Sequence, residues 1–311
     1  MKNVTRSAFA ALVVGFVATI ARPAEATPVA FISGGTAIWA WDTNSNSVSM
    51  VTNTNGGVDS LIFDPQGNIV YSLICCNALG RFNTTTLTNT VLNNAAGPGV
   101  ADMTLEPGGN SLLVSDAFGT TIGRLNLTTN GINFLNVNAR PDGLAYDNNG
   151  HLFAVLGLNS VAQIDPTTGA IIKSISTPNQ PDGLTFDATT GMLYVASDGG
   201  GFYTVPTDLS SATFTPVLNP AGAGYVFDGI ASDGNLLFFV IRNQGGLLYD
   251  LNTHTVLETS PFISGADDIA PVSGLGSPVA TPEPATFALL GSGLIALVRR
   301  RVRAGRSRSH E

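Results

Sequence analysis

Pro141-Asp142-Gly143-Leu144-Ala145-Tyr146-Asp147 recurs forty residues later as Pro181-Asp182-Gly183-Leu184-Thr185-Phe186-Asp187. Each copy is followed by a turn with glycine (Gly150, Gly191) and then by an apolar run, residues 151–155 in one and 192–196 in the other. Short runs rich in aliphatic and aromatic residues, bounded by Asp, Asn and Gly, read as strands joined by tight turns. Weaker copies start at Asp59, Asp102 and Asp228, and a sixth starts at Asp268 and breaks off. The lead aspartates are 43, 40, 40, 46 and 40 residues apart.

Each full repeat continues with a third strand, a polar turn and a fourth strand. The turns are Asn83-Thr84-Thr85-Thr86, Asn126-Leu127-Thr128-Thr129, Asp165-Pro166-Thr167-Thr168-Gly169 and Asp250-Leu251-Asn252-Thr253. Four short strands in a unit of about forty residues predict a propeller blade. Ahead of Asp59 lie three strand-like runs (29–33, 37–41, 47–52) without a lead strand. After Asp268 there is a lead strand without the other three. Joined, they make one blade. The expected fold is all-β: a six-bladed β-propeller over residues 27–275, closed by a composite blade that removes the open sheet edges.

The lead strand and its turn resemble NHL, gluconolactonase-type (SMP-30-like) and streptogramin-lyase-like propellers over roughly residues 55–245, and Pro-Asp-Gly-Leu-x-x-Asp is most similar to the gluconolactonase group. The likeness is short in each repeat, so it bears on fold more than on activity.

The two ends read as address labels. Lys2 and Arg6, the apolar run 8–21 and Ala24-Glu25-Ala26 predict a signal peptide over residues 1–26. Residues 276–284 form a linker that carries Pro282-Glu283-Pro284. A short hydrophobic segment, 285–303, follows and closes in an Arg cluster, and 304–311 is a basic cytoplasmic tail. The apolar stretch 287–298 is shorter than the ~20 residues of a lasting span, which suits a transient anchor. Pro-Glu-Pro, apolar segment and Arg-Arg-Arg in that order resemble the PEP-CTERM sorting signal. That resemblance implies export, membrane anchoring through the C-terminal segment and processing by an exosortase. It makes Pro282, Glu283 and Pro284 the sorting residues and ends in surface attachment or release.

Residues 27–280 hold nineteen acidic side chains against five basic ones. Such a surface repels phosphate backbones, which sets nucleic acid aside and favours cationic partners. The candidate site is the set of lead aspartates, Asp59, Asp102, Asp142, Asp182, Asp228 and Asp268, which a propeller gathers at one end of its channel. Clustered carboxylates raise one another's pKa, and a hard cation such as Ca²⁺ would neutralise them. The competing reading is that each aspartate binds backbone N–H groups of its own turn. The gluconolactonase resemblance implies a metal-binding and catalytic Asp, which by motif falls on Asp142 or Asp182. The Glu and Asn ligands it also implies have no match, since residues 27–58 contain no Glu and every lead is Asp.

Asp64, Asp147 and Asp187 read as turn formers. His151, His254 and His310 stand apart from any Gly-x-Ser-x-Gly pattern. Cys75-Cys76 reads either as a vicinal disulfide or as two thiols. Tyr225 and Phe227, beside the loop 221–224, are candidates for lining the channel mouth. The expected role is a non-catalytic surface or matrix module with an exopolysaccharide or surface-protein partner. The alternative is a metal-dependent, lactonase-like enzyme.

Overall fold

A computed structural model describes residues 29–73, 77–97, 99–116 and 118–271. The signal peptide, Cys75-Cys76, the linker and the C-terminal sorting segment lie outside them. Among the described residues no helix is long and apolar enough to cross a membrane.

Six four-stranded antiparallel sheets are arranged as blades. Their inner strands are Leu61–Phe63, Val100–Leu105, Pro141–Tyr146, Pro181–Asp187, Phe227–Asp233 and Ala266–Pro271. We number the blades 2 to 6 in that order and call the last blade 1. Blade 1 is the composite: Ala266–Pro271 pairs with Val29–Gly34, which pairs with Ala37–Asp42 and then Ser47–Asn53. The velcro closure expected from the unfinished first and last repeats is therefore present.

Burial follows the repeat. Second strands are mostly buried, and Leu152–Leu156 is buried along its whole length, whereas outer strands such as Ile171–Ser176 face solvent. Between blades the apolar faces meet. At the junction of blades 5 and 6, Phe227 stacks on Phe239 with centroids 4.3 Å apart, and Phe202 lies 5.5 Å from Phe239. Phe227 is thus a core residue, not a lining of the mouth. The polar turns work as their sequence suggests. Oδ1 of Asn83, Asn126, Asp165 and Asp250 each accepts the N–H groups two and three residues on. From buried positions, Oδ1 of Asp64 and Asp147 each accepts the N–H groups two and four residues on, and Oδ1 of Asp187 accepts that of Thr190.

Every blade is an up-and-down meander, so its connections alternate between two ends. One end carries the loops between second and third strands and the loops that lead into each inner strand. The chain enters and leaves at the other end, where Ala30 pairs with Pro271, whereas Gly34 and Ala266 pair at the first.

Candidate functional site at the channel mouth

The first end opens into a cavity of about 310 Å³. All six sequence-predicted aspartates line it, joined by Asp267, Arg140, Arg242 and Phe118. The cause is a β-bulge at the start of the inner strands. Pro141 pairs with Leu156 and Leu144 with Ala154, so three steps on the inner strand oppose two on its neighbour. The same shift recurs at Val100/Met103, Pro181/Leu184, Phe227/Ile230 and Ala266/Ile269. A bulge re-aims side chains next to a site, and in these five blades it brings both bulge residues to the cavity lining.

The two bulge positions do different jobs. The first holds Asp142, Asp182, Asp228 and Asp267, with Asp59 in the matching place in blade 2 and Ala101 in blade 3. The second holds Gly143, Gly183 and Gly229 in blades 4 to 6, and Ser60, Asp102 and Asp268 in the others. Asp267, not Asp268, is therefore the counterpart of Asp142, and Asp102 is one position out of phase with the leads. Asp102 accepts the N–H of Leu144 across the blade boundary at 2.6 Å, and Asp268 accepts those of Leu61 at 2.9 Å and the Ser60 hydroxyl at 3.0 Å. Where glycine stands instead, the blades close up: a Cβ on Gly143 would meet Asp182 O and Leu184 N at 2.5 Å. In blades 1 to 3 a buried serine opposite the bulge takes its N–H groups, Ser33 from Asp268, Ser72 from Asp59 and Ser60, and Ser115 from Asp102.

The first-position carboxylates form a chain of contacts. Asp59 shares a hydrogen bond with Asp267, Asp267 with Asp228, and Asp228 with Asp182. Arg242, from the loop after Leu236–Ile241, reaches Asp182 at 2.8 Å and Asp198 at 2.9 Å and closes on Asp228. Arg140 holds Asp142 at 3.0 Å. Burial raises most of these acids. It lifts Asp142 to about 7 against the pull of Arg140, and Asp268 also to about 7. Burial, with Asp59 next to it, lifts Asp267 to about 11. Asp102, Asp182, Asp59 and Asp198 are likewise raised by burial. At Asp228 burial is outweighed by the hydrogen bonds from Arg242, Asp267 and Asp182, and its pKa falls. Arg242 is held protonated above all by its hydrogen bond to Asp228.

Asp182, Asp198 and Asp228 bring carboxylate oxygens within 4.8 Å of one another, the spacing of a cation site. The Arg242 guanidinium already bonds all three. With it in place the group does not fit a metal ion, and no chemistry is derived through one. Sequence reasoning missed Asp198, Asp267, Arg140, Arg242 and Phe118. The usable signal was for Arg140 alone, one of only five basic residues in 27–280, which stands two residues before the lead Asp142.

Residues 280–303 match the PEP-CTERM protein-sorting motif. The motif implies an exported protein that is anchored at the membrane before exosortase processing. No curated protein matches the chain. Among solved structures, a chain of a nidogen/laminin complex superposes with a TM-score of 0.69 at 14% identity, covering 79% of this chain and 98% of that one. A protein of unknown function from Bacteroides caccae gives 0.62 at 14% identity, over 79% and 99%. Virginiamycin B lyase from Staphylococcus aureus gives 0.53 at 16% identity, over 76% and 84%. At these identities the likeness is one of fold. The chain is a six-bladed β-propeller that carries a PEP-CTERM protein-sorting motif.

Proposed function

We propose that this chain is an exosortase-sorted propeller that works at the cell surface as a non-catalytic binding module, with the channel-mouth face as its working surface. The observation that carries this reading is the polarity of the fold. The described chain starts and stops at one end, and the acidic mouth lies at the other. A tether through the C-terminal segment therefore pulls on the back of the propeller and leaves the mouth facing away from the envelope.

Binding rather than catalysis is supported by how the mouth carboxylates are used. Asp102 and Asp268 hold backbone of the next blade, and Arg242 engages three others. His151 and His254 both sit at the tethered end, His151 with its ring on Asp147 at 2.8 Å. A structural neighbour that is one chain of a nidogen/laminin complex is consistent with protein recognition on this fold.

The second reading, a lactonase-like enzyme, is favoured by the place of Asp142: it lines the mouth beside Arg140, and burial pushes its carboxyl up to about 7, where a general acid or base is most effective. Mature protein recovered from the cell surface, assayed on lactones and esters with and without Ca²⁺, separates the two. The binding reading expects no turnover. Turnover lost in Asp142→Asn would replace it with the enzyme.

A further inference from the structure

Neutralisation of the mouth is lopsided. On the side of blades 5 and 6, Arg242 compensates Asp182, Asp198 and Asp228. Next to it, Asp267 of blade 1 shares hydrogen bonds with Asp228 and with Asp59 of blade 2, and neither Asp59 nor Asp267 forms an ion pair among the described residues. Two carboxyls that share a proton for want of a counter-ion present a ready place for a cationic group.

The same face carries exposed apolar side chains. Phe118, Leu158, Leu218, Val226 and Phe262 are all exposed, and all stand on connections at the mouth end. The other exposed large apolar residues lie on outer strands, apart from Leu87 in a turn at the tethered end. Phe118, 77% exposed, lines the mouth itself. Its backbone is held by hydrogen bonds. Asp116 Oδ1 accepts the Phe118 N–H at 3.2 Å, Asp116 O accepts that of Gly119 at 3.1 Å, and a Cβ on Gly99 would strike the ring. Phe262, 72% exposed, and Tyr225 wall a recess of about 230 Å³. That recess adjoins the mouth, because Gln244 lines the one and Arg242 and Asn243 the other. Aromatic side chains beside partly buried charged groups are the composition of a protein-binding hot spot.

We propose that the mouth face docks a second exported protein, which inserts a lysine or arginine side chain between Asp59 and Asp267 and packs apolar neighbours against Phe118 and Phe262. The choice of a basic protein follows from charge complementarity. The carboxylates that Arg242 pairs are continued around the mouth by Asp267 and Asp59, which form no ion pair among the described residues. The inserted cation takes the place of the shared proton, which passes to solvent. This inference rests on the surface-module reading above.

The test uses mature protein recovered from the cell surface and a displayed library of random dodecapeptides. Recovered peptides are expected to carry Lys or Arg beside an aromatic or aliphatic residue. Replacing that residue by norleucine or citrulline, or the protein's Phe118→Ala, Phe262→Ala or Asp59→Asn, should each weaken binding by about tenfold or more. Leu87→Ala at the tethered end should leave binding unchanged. Phe118 and Phe262 are exposed, so their variants fold and keep the test decisive if Asp59→Asn does not. Peptides without a basic residue, or binding indifferent to Phe118 and Phe262, overturn the proposal. Binding of neutral glycans at the mouth with no peptide recovered also overturns it but leaves the surface-module reading standing. Lactone turnover at the mouth removes that reading and this inference together.

Discussion

The carboxylate of Asp102 accepts the backbone N–H of Leu144 at 2.6 Å, across the boundary between two blades. Asp268 repeats the relationship with Leu61 at 2.9 Å. These two aspartates stitch inner strands together where blades 4 to 6 rely on close approach at glycine. Asp102→Ala should therefore lower stability by about 1–3 kcal/mol, the cost of an orphaned buried N–H, read as a shift in denaturant midpoint. Gly143→Ala should cost a similar amount by the opposite route, since its methyl group would force two blades apart. An unchanged midpoint in both variants would show that the boundaries are held elsewhere.

Removing Arg242 strands three carboxylates. Breaking a fully buried pair costs about 3–5 kcal/mol. The guanidinium is 37% exposed, so Arg242→Met should cost less, about 2–3 kcal/mol. The same change frees the cation-spaced group Asp182, Asp198 and Asp228. Calcium should then stabilise Arg242→Met more than the unaltered protein, which a melting series in Ca²⁺ would reveal.

Much of this was legible in sequence. The forty-residue period and the unfinished end repeats specify six blades and their closure, because blade geometry is local and repeated. The mouth was legible only as a set of aspartates. That Asp267 and Asp268 both line the mouth, with Asp267 as the counterpart of Asp142, depends on a bulge that alternation alone does not show. Arg242 meets Asp182 from sixty residues away, a contact that no local pattern encodes.

The pH dependence of stability has a definite sign. Asp142 and Asp268 are raised to about 7 and Asp267 to about 11 on folding, from about 3.9 in the unfolded chain. Raised groups contribute stability that is complete below the unfolded pKa and is lost as pH climbs through the folded one. The turn aspartates Asp42, Asp147, Asp165 and Asp250 are lowered, so their contribution fades as pH falls below the usual carboxylate range. The melting temperature should peak near pH 4, decline between about pH 4 and 7 as Asp142 and Asp268 ionise in the unfolded chain first, and fall further toward pH 11 through Asp267. Asp142→Asn should flatten that decline. A melting temperature that rises steadily to pH 8 would contradict the mouth electrostatics.

Replacing Pro282, Glu283 and Pro284 together by alanine should block sorting. The protein is then expected in the membrane fraction of broken cells, not at the surface or in the medium.

The orientation of the mouth is tested most directly by antibody labelling of intact cells. One epitope is placed in the exposed loop at Ala221–Gly222, on the mouth face, and another in the turn at Thr85–Thr86, at the tethered end. The ten residues 272–281 reach at most about 35 Å when extended, so the tethered end stays close to the envelope while a C-terminal attachment holds. The account predicts strong labelling of the Ala221–Gly222 epitope and weak labelling of the Thr85–Thr86 epitope, with both labelled equally once the protein is released. Equal labelling on intact cells, or a stronger signal at Thr85–Thr86, would contradict an outward-facing mouth.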